Sequence, residues 1–85
     1  MAIVTDFTRF FDESGIQSTV QAEALKQSVE WEGDVGMFKT KRKGPRLFVL
    51  ASGSETILRL ENEEEKASFL EIIGERYEIP HDTLY

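Results

Sequence analysis

The sequence contains no cysteine, so neither a disulfide nor a thiolate metal site can help hold the chain together. That absence fits a reducing compartment. Histidine occurs once, as His81, within Pro80-His81-Asp82-Thr83-Leu84-Tyr85. General acid–base or nucleophilic chemistry needs a base held beside its partner, and an exposed tail residue meets that need poorly. Long apolar runs are also missing. The longest, Leu47 to Ala51, is far too short to cross a membrane. The opening Met1-Ala2-Ile3-Val4-Thr5-Asp6 has neither the basic nor the apolar region of a signal peptide. The expectation is a cytoplasmic protein that neither enters nor anchors to a membrane.

Glycine spacings that cradle phosphates or dinucleotides are absent, since Gly33-Asp34-Val35-Gly36 and Gly53 match neither pattern. The acidic residues follow no calcium-loop spacing. No catalytic residue, metal ligand, cofactor or small-molecule substrate is therefore expected, and the chain reads as a non-enzyme.

What is present is acidic charge with one basic spot. Sixteen Asp and Glu stand against ten Lys and Arg in 85 residues, for a net charge of -6. Lys39, Lys41, Arg42, Lys43 and Arg46 place half of the basic side chains within eight positions. Seven acids face two bases before that stretch, and nine face three after it. The overall sign favours solubility and disfavours nonspecific contact with nucleic acid or anionic lipid.

Periodicity supplies the elements. Ile3, Val4, Phe7, Phe10 and Phe11 fall on one helical face, with Thr5, Asp6, Arg9, Asp12 and Glu13 opposite, which predicts an amphipathic helix over 2–13 closed by Gly15. Ser18 and Gln21 have capping-box spacing, so a second helix is expected over 18–26. The alternation of Val29-Glu30-Trp31-Glu32 then predicts a strand over 28–32 and a hairpin turn at Gly33-Asp34. A helix continuing to Trp31 is the rival reading. Strands over 35–42, 46–51 and 55–60 are separated by turns at Lys43-Gly44-Pro45 and Ser52-Gly53-Ser54. Asn62 and Glu65 cap a last helix running to about Tyr77, with Phe69, Leu70, Ile73 and Tyr77 on its inner face. The expected fold is α+β: a single domain over 1–79 with a tail over 80–85. It contains an antiparallel three- to four-stranded meander with two N-terminal helices and one C-terminal helix, in the order α-α-β-β-β-β-α.

Three surfaces are candidates for binding. The strand Leu47-Phe48-Val49-Leu50-Ala51 is apolar throughout, so both of its faces call for cover. With Phe48 and Leu50 placed beneath the helices beside Phe38, Leu58 and Leu60, the opposite face collects Val35, Met37, Leu47, Val49 and Ile57. An uncovered patch of that kind marks an interface, unless the first and last helices cover opposite faces. Lys39, Lys41, Arg42, Lys43 and Arg46 form a basic hairpin able to contact phosphates. The ordinary alternative is a solvated turn whose lysines deter edge pairing. On the last helix Glu64, Glu71, Glu75 and Glu78 form an acidic ridge, which either docks on a basic partner or is simply a solvated face. The best functional reading is a non-catalytic protein–protein interaction domain: a small acidic regulator, adaptor or inhibitor that occupies a partner's surface. Self-association through the sheet as a homodimer is compatible with it. The alternative is a nucleic-acid-binding module using hairpin 39–46.

Overall fold

The computed structural model describes residues 2–4 and 6–78. The elements run β1 (Ala2–Val4), α1 (Phe7–Glu13), α2 (Thr19–Trp31), β2 (Phe38–Lys43), β3 (Arg46–Ala51), β4 (Thr56–Leu60) and α3 (Glu63–Arg76). The class is α+β, in the order β-α-α-β-β-β-α, and the tail 80–85 with His81 lies outside the described residues. The four strands form one sheet in the order β1-β4-β3-β2. β1 runs parallel to β4, while β2–β3 and β3–β4 are antiparallel. The sheet is therefore mixed, not the expected antiparallel meander.

Two N-terminal expectations are corrected. The stretch 2–13 is a strand followed by a short helix, because the Asp6 carboxylate accepts the backbone N–H groups of Thr8 and Arg9. That cap starts the helix at Phe7 and leaves Ile3 and Val4 extended, as β-branched residues prefer. The predicted strand 28–32 is helical, and α2 continues to Trp31, as in the rival reading. Val29 and Ser28 are fully buried on its inner side, and the Ser28 hydroxyl donates to the Gly33 carbonyl at 2.7 Å. Glu32 closes the helix in the left-handed conformation at φ 52°, so Gly33-Asp34 belongs to a helix exit and not to a hairpin. The expected strand 35–42 begins only at Phe38. Val35 and Phe38 exchange two backbone hydrogen bonds of 3.0 Å across a tight turn, with Gly36 at φ 58°.

The later caps form where the sequence places them. Ser18 accepts from the N–H of Gln21, and Asn62 from that of Glu65. The reciprocal side chains reach one residue further back than a standard capping box: Gln21 accepts from the N–H of Gln17, and Glu65 from that of Glu61. Each helix thus has two entry N–H groups satisfied by side chains.

All three helices pack on one side of the sheet. Phe10, Phe11, Leu25, Val29, Phe69 and Ile73 from the helices meet Val4, Phe38, Leu47, Val49, Leu58 and Leu60 from the strands. Glu13 ties α1 to this sheet by accepting from the Thr56 hydroxyl at 2.7 Å. That hydrogen bond, followed by the one from Arg9, lowers the Glu13 pKa below its ordinary 4.5. A depressed carboxylate adds stability that is present above its unfolded pKa and is lost as pH falls through the folded value. Melting temperature followed from about pH 7 to about pH 3 should therefore fall less for Glu13→Gln than for the parent in the window below pH 4.5.

Candidate functional site: the uncovered face of the sheet

Register decides which side chains face away from the helices. Gly44 and Pro45 form a two-residue loop, so Lys43 pairs with Arg46 and Phe38 with Ala51. Gly44 at φ 64° supplies the positive φ that a type II′ turn needs at its first loop position, and proline's fixed negative φ suits the second. Taking Lys43 into the turn, as the sequence reading does, shifts the pairing by one residue. The second turn differs in the same way, since Ala51 and Thr56 flank four loop residues and Leu47 pairs with Leu60. Both slips act on β3, and a slip of one residue moves every side chain of a strand to the other face.

The expected interaction face is corrected accordingly. Leu47 and Val49 are core, 2% and 0% exposed, whereas Phe48 and Leu50 stand on the uncovered side. Val35 and Met37 are half-buried in the loop before β2, and Met37 packs against the core. Ile57 alone of that set lies on the open face. Phe48, Leu50, Ile3 and Arg59 are members of this face that the sequence reading missed. Counting Gly44-Pro45 as a two-residue loop would have found the first two.

The uncovered face is ordered in rows across the strands. The first runs Lys39, Leu50, Ile57 and Ile3, and the second Lys41, Phe48 and Arg59. Lys43 and Arg46 begin a third. Apolar side chains thus lie at one end and cations at the other and along the β2 edge. Phe48, Leu50 and Ile57 are half-buried, and Ile3 is 56% exposed. With Lys39, Thr40 and Lys41 the first three line a shallow groove of about 250 Å³.

The five expected phosphate contacts fall into two groups. Arg42 lies on the helix side, where its guanidinium pairs with Glu32 and, at 3.6 Å, with Glu63. Arg46 pairs with Glu61 at 2.9 Å, and the same carboxylate takes Arg59 at 2.6 Å. Lys39, Lys41 and Lys43 are exposed and make no ion pair among the described residues. The β2 edge is partly closed beside them, because the Asp34 carboxylate accepts the Thr40 N–H at 3.0 Å.

The acidic ridge lies on the opposite layer. Glu64, Glu71, Glu75 and Glu78 are all exposed, the last beyond the end of α3 at φ 53°. Glu71 and Glu75 join Lys26, Glu30 and Leu70 along a polar furrow between α2 and α3. The molecule is therefore two-sided, acidic on its helices and basic on its sheet. Among the described residues no helix is long and apolar enough to cross a membrane, and no cluster of three His, Asp or Glu side chains is placed to hold a metal ion. Comparison with protein families, with curated proteins and with solved structures finds no match to this chain.

Proposed function

We propose that this protein is a non-catalytic interaction domain that docks a partner on the open face of its sheet. One observation carries the reading: among the described residues, three helices cover a single face of a four-stranded sheet, and the other face has Phe48, Leu50, Ile57 and Ile3 at its surface. Fully burying such a side chain is worth roughly 1.5–3 kcal/mol, so a partner that covers this row gains several favourable contacts at once. The location suits a binding surface physically. Its side chains stand on strands fixed from behind by the core, and little order remains to be imposed on association.

A nucleic-acid module is the second reading, and Lys39, Lys41 and Lys43 in line beside Phe48 are what favour it. The lysines also have an ordinary role, since cations on an edge strand deter edge-to-edge pairing.

Leu50→Glu tests the docking reading. Leu50 faces outward, so the substitution loses cross-strand contacts worth on the order of 1 kcal/mol and leaves circular dichroism and cooperative melting in place. Captures from native cell extract with the parent and with Leu50→Glu, compared by mass spectrometry, should differ by at least one protein retained by the parent alone. Identical captures from two folded baits would sink the reading.

A further inference from the structure

We infer that the occupant of the open sheet face is an acidic, amphipathic segment of a partner protein, a conclusion that rests on the docking reading above. Charge complementarity carries it. The protein has a net charge of -6, yet this face presents Lys39, Lys41 and Lys43 without an ion pair among the described residues. Arg46 and Arg59 stand beside them, bridged by Glu61. Three cations on alternate residues of one strand repeat at about 6.6–6.8 Å. Alternate side chains of an extended partner segment have the same repeat, so its carboxylates can meet the lysines in register.

The neighbouring groups define the rest of the segment. Lys39 stands in row with Leu50 and Ile57, and Lys41 with Phe48. A segment that places carboxylates over the lysines sets its apolar side chains over the groove floor. Its cost is low, because exposed lysine ammonium groups remain partly solvated while their carbon stems cover apolar surface. Edge addition to β2 fits less well, because Asp34 already takes the Thr40 N–H.

Single-stranded nucleic acid fits this face less well than an acidic segment. Unpaired bases gain their affinity by stacking on successive aromatic rings, and among the described residues the open face offers one, Phe48. Two of its five cations share a carboxylate in Glu61, and Arg42 is held by Glu32 and Glu63 on the helix side. The exposed glutamates of α3 repel a polyanion that extends past the face.

The test is selection of a displayed random dodecapeptide library on the full chain. It is followed by titration of the leading synthetic peptide, and of the oligonucleotide dT12, against the parent, Leu50→Glu and the double variant Lys39→Glu, Lys41→Glu. Circular dichroism of both variants, expected to match that of the parent, serves as the control for folding. The expected result is enrichment of sequences that intersperse Asp or Glu with Leu, Ile or Phe. The leading peptide should bind at least tenfold more weakly to the double variant and lose affinity as salt rises. Enriched peptides without acidic excess that still fail on Leu50→Glu would overturn the partner class and leave the docking surface standing. Peptides indifferent to both variants, or no enrichment at all, would overturn both. Tighter binding of dT12 than of any peptide, with a steep salt dependence, would replace the inference with nucleic-acid binding.

Discussion

Val49→Glu is expected to unfold the protein. Val49 is completely buried at the centre of β3, paired to Thr40 on one side and Leu58 on the other. A carboxylate there loses the valine's burial, roughly 1.5–3 kcal/mol, and has no partner among the apolar side chains of the helix layer. Its own pKa rises to avoid the buried charge, and even the neutral acid leaves polar atoms unsatisfied. The combined cost exceeds about 4 kcal/mol, most of the roughly 5–15 kcal/mol that keeps a domain folded. Circular dichroism at 25 °C should show loss of the cooperative transition. The companion Leu50→Glu, one residue along the same strand, should melt like the parent within a few degrees. A folded Val49→Glu would mean that β3 presents its other face to the helices, and the assignment of the open surface would fall with it.

This pair of neighbours also marks where sequence reasoning stops. An uninterrupted run such as Leu47 to Ala51 carries no alternation, so its own residues do not say which side is inner. The answer lies in turn lengths, and each turn here differs by one residue from its simplest reading. The same limit appears at Ile3 and Val4. They fit the helical stripe of Phe7, Phe10 and Phe11, but the stripe is shared by a strand leading in and a helix leading out. Asp6 was the local sign of the break. Val29 to Glu32 alternate like a strand, yet Val29 and Ser28 are buried by continuing the helix, and tertiary burial outweighs the local pattern. By contrast, the entries of α2 and α3 were legible at Ser18 and Asn62, because a cap is a local hydrogen bond that needs no tertiary partner.

The basic hairpin was legible as composition and opaque as geometry. Lys39, Lys41, Arg42, Lys43 and Arg46 are contiguous in sequence, but β2 sends Arg42 to the helix side and the three lysines to the other. Arg42 then joins an ion cluster in which Lys66 lies 3.8 Å from Glu32 and 3.9 Å from Glu63. Glu32 and Glu63 are separated by most of the sheet in sequence, so nothing local announces that cluster. Arg59 shows the converse: isolated in sequence, it enters the basic face through the pairing of β4 with β3.

Phe69→Ala should produce the largest loss of stability among single truncations of an aromatic side chain in the helix layer. The Phe69 ring is fully buried where α3 meets α1, 5.2 Å from Phe7, 6.4 Å from Phe10 and 5.3 Å from Phe11 between centroids. Two of these pairs are edge-on, the arrangement in which a positive ring edge meets a negative face. Deleting a buried phenylalanine side chain costs about 3–5 kcal/mol through lost transfer energy and the cavity left behind. Phe69 also joins helices that are far apart in sequence, so its removal leaves the short α1 held to α3 mainly at its far end, by Tyr77 against Phe11 and Arg76 against Asp12. At about 4–8 °C per kcal/mol for a domain of this size, thermal melting should shift down by well over 10 °C. Phe10→Ala should shift it less, because Phe10 loses one aromatic partner where Phe69 loses three. Its open-face counterpart Phe48→Ala should shift it least, because Phe48 is only half-buried. Melting curves of the three variants side by side check the order. If Phe48→Ala proves the most damaging, the aromatic core does not lie on the helix side of the sheet.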